Sequence, residues 1–146
     1  MIIRREVFDA VGLLDEGYFT YFDDVDFCFV ARQHNWPTWY VPYSRIVHLV
    51  GKTTGVTDPD NVPSRKPNYY FEARRRYLTK NLHPFHAAAC DLGFFLGSCI
   101  FYARRLFTGS EKNTPANMLC DHIRHSVFVR GFRPPTVVNP ALAESR

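Results

Sequence analysis

The sequence has few of the features that mark metal-binding or secreted proteins. Its four cysteines, Cys28, Cys90, Cys99 and Cys120, form no C-x-x-C pair and show no zinc-like spacing with histidine. The first residues open directly into patterned sequence, so we expect no signal peptide. These absences predict free thiols in a reducing environment and therefore a cytoplasmic location.

A long uncharged hydrophobic run is also lacking. The most apolar stretch, residues 87–103, contains Asp91 and two glycines and is followed by Arg104 and Arg105. It is shorter than the ~20 residues that a membrane-spanning helix needs. We therefore expect a buried helix or an interfacial one, the latter at the inner-membrane surface.

The composition is that of a globular protein with anionic partners. The 146 residues are 46% hydrophobic and 16% aromatic, enough for one domain with a core, and the net charge is +4. Such a charge suits sugar phosphates, acidic lipid headgroups or nucleic acid. Because no nucleic-acid recognition motif accompanies it, we expect no nucleic-acid partner.

Hydrophobic spacing predicts an α/β segment followed by a helical region. Val7, Phe8 and Val11 have helical spacing, and Gly12 is placed to end that helix. Two glycines and three prolines among polar residues predict a loop over 51–68. The predicted helices cover residues 4–11, 23–34, 69–82, 85–107 and about 115–130, and the predicted short strands cover 39–41 and 46–50.

The densest cluster of carboxylates lies between Tyr21 and Cys28 and consists of Asp23, Asp24 and Asp26. In a first helical turn the helix dipole stabilises each by ~0.3–1 kcal/mol. Asp23 and Asp26 also have capping-box spacing, with Asp in place of Glu. The alternative is that one carboxylate acts as a general base, flanked by aromatic rings that pack a sugar and exclude water. Taken alone, the segment favours the structural interpretation.

Several short motifs occur in a fixed order over the first 55 residues. In order they are Arg5, Gly12-Leu13-Leu14-Asp15-Glu16, Phe19-Thr20-Tyr21, Asp23-Asp24-Val25-Asp26-Phe27-Cys28, Pro42 and His48 followed by Gly51-Lys52-Thr53-Thr54. This order resembles the C-terminal catalytic segment of bacterial family 2 glycosyltransferases, especially rhamnosyltransferase-like members. A weaker resemblance continues through Tyr70 to Tyr77.

The resemblance implies a fold and a function. The fold is α/β, the C-terminal part of a GT-A nucleotide-diphospho-sugar transferase followed by a helical extension. The function is transfer of a sugar from a nucleotide-activated donor to a hydroxyl acceptor, saccharide or lipid-linked, in cell-surface polysaccharide or glycolipid synthesis. The implied parts are an acceptor-side catalytic segment (1–55), a loop or linker (56–68), a helical C-terminal extension (69–132) and a flexible tail (133–146).

The resemblance also implies residue roles. Asp24 matches the catalytic base, and Asp23 stands beside it where the family often has Glu. His48 matches a histidine that completes a Mg²⁺ or Mn²⁺ site; an ordinary strand-end histidine is the open alternative. The candidate substrate-binding residues are Asp15, Glu16, Tyr21 and Arg75.

One half of the family pattern has no counterpart here. The family's metal-binding D-x-D motif lies in a donor-binding half, upstream of the base. Asp24-Val25-Asp26 already occupies the base position, and Asp58-Pro59-Asp60 is better explained as a proline-containing turn. We therefore expect metal binding and activity only together with that half, and expect the isolated chain to aggregate or form homo-oligomers.

Clustered cations support a different hypothesis. Arg74, Arg75 and Arg76 cannot share one helix face, so some are expected to be solvated. With Lys80 and Arg104 they would suit a non-catalytic remnant that acts as a basic peripheral-membrane or partner-binding module.

Overall fold

The computed structural model describes residues 1–47, 65–108 and 115–136. Within these ranges the chain forms six α-helices, and α3 is central because it contacts α2, α4 and α5. The helices are α1 (Arg5–Val11), α2 (Asp23–Gln33), α3 (Asn68–Asn81), α4 (Pro84–Thr108), α5 (Met118–Arg124) and α6 (Val127–Arg130). The helices predicted from apolar spacing over residues 4–107 are thus confirmed to within about a residue at each end.

The first two helices pack through one small apolar cluster. Val7 of α1 contacts Phe27 and Ala31 of α2, and the rings of Phe8 and Phe27 lie 5.3 Å apart. Gly12 ends α1 as predicted: its φ of 86° is unfavourable for residues with a side chain, and its amide donates to the Phe8 carbonyl.

The central helix joins the remaining parts. On one side Ala73 packs against Tyr18, from the loop before α2. On the other side Leu78 packs against Ala87 of α4 and Val127 of α6. Ala73 and Ala87 are fully buried, so α3 approaches its neighbours at positions where the side chains are small.

The helix predicted over about 115–130 is wrong as a single element. It is two helices, α5 and α6, separated where Ser126 adopts an extended conformation with ψ of 161°. The break frees the amide of Val127, which donates to the buried Asp91 carboxylate of α4 at 2.7 Å. A continuous helix would use this amide internally and leave Asp91 with one fewer donor.

The strand predicted over 39–41 is not formed, since no strand occurs in the described parts of the chain. Trp39 and Tyr40 are 79% and 89% exposed, without a neighbouring strand to pair with. A strand is stable only through such pairing. The α/β class and the GT-A type stay predictions, and the strand over 46–50 and the loop or linker fall largely outside the described residues.

A buried carboxylate fixes α4 against its neighbours. Asp91 is 2% exposed, and it accepts hydrogen bonds from the Arg74 guanidinium of α3 and from the Val127 amide. Burial acts to raise the pKa of Asp91, but the nearby His122 imidazole, the Val127 amide and Arg74 outweigh it and lower this pKa to about 2. Asp91 is therefore ionised at neutral pH.

Asp91→Asn should lower the free energy of unfolding by about 3 kcal/mol, because the largely buried Arg74 guanidinium loses its counter-charge. Urea unfolding followed by circular dichroism measures this. The control Arg4→Gln removes an ion pair whose side chains are 71% and 58% exposed, Arg4 with Glu6. It should cost less than about 0.5 kcal/mol. Equal losses in both variants would contradict the assigned role of Asp91.

Candidate functional site

The predicted base lies at the start of α2. Asp24 is the second residue of the helix, and its carboxylate is exposed and accepts the Val25 amide at 2.8 Å. The position in a first helical turn, predicted from the cluster of acidic residues, is confirmed. The positive end of the helix dipole stabilises a carboxylate here, and solvent or a substrate can reach it.

The neighbouring Asp26 has a different role. It is 2% exposed and accepts hydrogen bonds from the Tyr18 hydroxyl at 3.0 Å, from Lys80 Nζ at 2.6 Å and from Asn81 Nδ2. The predicted capping box with Asp23 is wrong, because α2 begins after Phe22 without a side-chain cap. The Asp26 side chain faces α3 instead, where Lys80 supplies the charge that a buried carboxylate needs.

A second carboxylate contacts the same cations. Asp15 accepts hydrogen bonds from Nε and Nη2 of Arg76, from Lys80 Nζ and from the Gly17 amide. Burial acts to raise the pKa of Asp15, but these donors outweigh it and lower this pKa to about 2. A Cβ at Gly17 would collide with the Arg76 guanidinium, so a larger residue there would have to displace this guanidinium from Asp15. With its oxygens occupied, Asp15 is better suited to a structural role than to substrate binding.

The three consecutive arginines of α3 all have partners within the chain. Arg74 binds Asp91 and Arg76 binds Asp15, and their side chains are 17% and 16% exposed. Arg75 Nη1 donates to backbone carbonyls of residues 130, 131 and 133, so it ties the chain after α6 to α3. The prediction of solvated charges is therefore wrong. This geometry also argues against Arg75 as a diphosphate ligand.

The loop before α2 is strained and covered with aromatic rings. Tyr21 and Phe22 both have left-handed backbones, with φ of 66° and 63°. Such conformations cost on the order of 1–3 kcal/mol each outside glycine and persist where surrounding contacts enforce them. The rings from α3 provide these contacts: Tyr69 stacks on Tyr21 at 6.1 Å, and Tyr77 stacks on Phe22 at 5.8 Å. The strain fixes the direction in which α2 and Asp24 leave the loop.

The α3 residues at this site were not predicted from the sequence. Tyr69 also meets Phe19 edge-to-face at 5.4 Å, so it completes the aromatic surface near Tyr21. The i,i+4 spacing of Arg76 and Lys80 was the available signal, because it places two cations on one helix face. Glu72 also lies four residues before Arg76, a spacing that favours a local pair, but the partner of Arg76 is Asp15, 61 residues away.

The remaining candidates are less constrained. Glu16 is exposed, Asp23 is half-buried beside Asp24, and Tyr21 is half-buried in the aromatic stack. His48 lies outside the described residues. Across the described ranges, histidine, cysteine and carboxylate side chains form no group of three that could hold a metal ion. The described residues therefore do not fit a metal site, and the metal role of His48 stays a prediction.

An apolar cavity of about 530 Å³ lies away from these carboxylates. It is formed between the N-terminus, α1, α2 and the segment after α2, with Ile3, Phe27, Trp36 and Trp39 among its lining residues. Among the described residues no Asp or Glu lines it, so these residues offer no general base there. Asp24, in contrast, is on the open surface at the start of α2, where a substrate can reach it.

Comparison with known proteins points to one class of enzyme. No protein-family model matches the chain, and no solved structure matches it. Several curated proteins that share part of the sequence are glycosyltransferases. They support a relation to glycosyltransferases over a short stretch of the chain.

Two relatives illustrate the match. An N-acetylglucosaminyl-diphospho-decaprenol L-rhamnosyltransferase of Mycobacterium tuberculosis is 33% identical over 76 residues, which are 51% of this chain and 25% of that protein. A dTDP-rhamnosyl transferase, RfbF, of Shigella flexneri is 27% identical over 81 residues, which are 53% of this chain and 26% of that protein. The chain thus spans about a quarter of the length of these relatives.

Lys80→Met should destabilise the fold at neutral pH by about 1–3 kcal/mol, because Asp26 then keeps only neutral donors. The folded pKa of Asp15 is about 2 against an ordinary 3.8, so its contribution to stability is complete above the ordinary pKa and is lost as pH falls towards 2. The deficit of the variant should therefore shrink over that range.

Denaturant unfolding at a series of pH values measures this deficit. Arg32→Met, which removes an exposed cation from the last turn of α2, is the matched control. It should cost less than about 1 kcal/mol, with little dependence on acid. A Lys80→Met deficit that stays constant or grows as pH falls would contradict the assigned ion pairs.

Proposed function

We propose that this chain is the acceptor-side, C-terminal part of a family 2 glycosyltransferase of the GT-A type. In this proposal Asp24 is the catalytic base and Asp23 assists beside it. The enzyme transfers a sugar from a nucleotide-sugar donor to a hydroxyl acceptor. Residues 1–55 contribute the acceptor side, and a separate donor-binding half holds the nucleotide.

The observation that carries this proposal is the difference between Asp24 and Asp26. Asp26 is buried and neutralised by Lys80, so its lone pairs are occupied. Asp24 is exposed at a helix N-terminus beside a strained aromatic loop. General base catalysis requires a carboxylate that can come within hydrogen-bond reach of the acceptor hydroxyl, and this supports Asp24 rather than Asp26 as the base.

The reaction can be written with this carboxylate alone. An Asp24 oxygen accepts the proton of the acceptor hydroxyl while the hydroxyl oxygen forms a bond to the anomeric carbon of the donor. The bond from that carbon to the diphosphate oxygen breaks, and the nucleoside diphosphate leaves with the electron pair. The Tyr21 and Tyr69 rings offer apolar faces on which a sugar ring can pack. A divalent ion with His48 belongs to the proposal only together with the donor-binding half.

The relatives narrow the substrate class. Their names describe rhamnosyl transfer, in one case to a diphospho-decaprenol-linked N-acetylglucosamine. We propose by analogy a rhamnosyl-type donor and a saccharide or lipid-linked acceptor in glycan synthesis. A lipid-linked acceptor would place the enzyme in the cytoplasm against the inner membrane.

A non-catalytic remnant is the second candidate. The observation that favours it is the large exposed apolar face of α4, which needs no donor-binding half to bind a surface or a partner. Under this alternative the exposed Asp24 has no catalytic task. An assay for transfer separates the two candidates.

Asp24→Asn should abolish transfer and spare donor binding in a protein that joins residues 1–146 to a donor-binding half. Asn has nearly the same shape but cannot accept the proton, so the rate should fall by a factor of about 10²–10⁴. Radiolabelled sugar transfer measures the rate, and calorimetry measures donor affinity. The matched control Asp9→Asn, at an exposed position of α1, should leave both unchanged.

Two outcomes would contradict the proposal. If the Asp24→Asn variant transferred sugar at the unaltered rate, Asp24 could not be the catalytic base. Absence of transfer by the joined protein, with donor binding intact, would favour the remnant.

A further inference from the structure

One helix in the described part of the chain combines length with an unusual exposed face. Residues 84–107 of α4 are long and apolar enough to cross a membrane by length and composition, with a mean hydropathy of 1.3 over an 18-residue stretch within them. Only 11% of that stretch is buried against the rest of the chain. At 3.6 residues per turn, six of the eight large exposed apolar side chains of α4 fall within about 120° of the helix circumference, and the other two, Phe95 and Tyr102, lie along one edge of this arc. This α4 apolar face consists of Phe85, Leu92, Leu96, Ile100, Leu106 and Phe107.

The opposite face of α4 cannot turn outward. It carries Ala87 and Asp91, which are 0% and 2% exposed, and Asp91 is held by Arg74 of α3 and by the Val127 amide of α6. If α4 crossed a bilayer in this arrangement, the Arg74–Asp91 ion pair and the polar helix α3 would enter the hydrocarbon, at a high cost. A helix with one face fixed to polar neighbours and one apolar face exposed is suited to lie in the plane of a membrane surface.

The charge around α4 indicates what kind of surface fits. Over 84–108 and 115–136 the two acidic residues are buried, Asp91 at 2% and Asp121 at 3% exposure. The exposed arginines of these ranges include Arg105 in the last turn of α4, and Arg124, Arg130 and Arg133 in or after α5 and α6. Exposed apolar side chains together with exposed cations, and without exposed anions in these ranges, are complementary to anionic lipid headgroups over an acyl layer.

We propose that α4 lies in the plane of an anionic lipid surface. The α4 apolar face enters the boundary between headgroups and acyl chains, and the neighbouring arginines lie among the headgroups. The Arg74–Asp91 ion pair is the positioning element, because it keeps the apolar face directed away from α3. This surface is independent of Asp24 and of the proposed glycosyl transfer.

Co-sedimentation of the 146-residue chain with lipid vesicles tests the proposal. Vesicles with about 30% phosphatidylglycerol in phosphatidylcholine should bind the chain about tenfold more strongly than pure phosphatidylcholine, and salt should weaken the binding. The double variant Leu96→Glu, Ile100→Glu should lose about tenfold or more of the binding to both vesicle types. The double variant Arg105→Gln, Arg133→Gln should lose the preference for anionic vesicles. It should keep the weaker binding that the unaltered chain shows to pure phosphatidylcholine.

The matched control is Leu13→Glu, because Leu13 is an apolar residue after α1 that is 79% exposed and lies outside α4. This variant should bind vesicles as strongly as the unaltered chain. Circular dichroism checks that the helix content of every variant is unchanged. Unaltered binding by the α4 double variant would overturn the proposal in favour of another surface. Resistance of the bound chain to carbonate extraction would overturn it in favour of a span. The proposal would also be overturned if the unaltered chain did not bind vesicles but self-associated in light scattering, while the α4 double variant was monomeric. That result would show that a second copy of the chain covers this face.

Discussion

Neutralisation of buried carboxylates by α3 is the constraint on which the rest of the structure depends. Three carboxylates from three different segments point at this helix, and each meets a cation there. The net energy of such pairs is modest, because desolvation offsets most of the attraction. Their effect is to fix position: a shift of α3 by one residue would separate all of them at once. The pairs are Asp91 with Arg74, Asp15 with Arg76 and Lys80, and Asp26 with Lys80.

The helices could be predicted from the sequence to the extent that local signals determine them. Apolar spacing and Gly12 were sufficient for α1, and spacing alone placed α3 and α4. The division between α5 and α6 depends on Asp91, a partner in another helix, so no local pattern revealed it. For the same reason the strand predicted at 39–41 could not be judged locally, because a strand depends on a neighbour that local sequence does not specify.

At the candidate site the position of Asp24 was predictable and its surroundings were not. A run of acids before an apolar helix indicates a helix N-terminus whatever the tertiary fold. Spacing also suggested that Asp26 caps this helix, whereas its partner Lys80 is 54 residues away. Of the aromatic surface, Tyr21 was predicted from the sequence and Tyr69 was not. Tyr69 contacts Tyr21 only because α3 packs on the loop before α2.

The amide of Val127 has a consequence for how this part of the chain folds. With four residues, α6 is too short to persist alone, since a helical nucleus is unfavourable until further hydrogen bonds repay it. Its first amide is bound by a carboxylate 36 residues earlier in sequence, on α4. The order of α6 is therefore coupled to the docking of α4 on α3, because one carboxylate, Asp91, binds both Arg74 of α3 and the first amide of α6. Loss of either contact should loosen the end of the described chain as well as the α3–α4 packing.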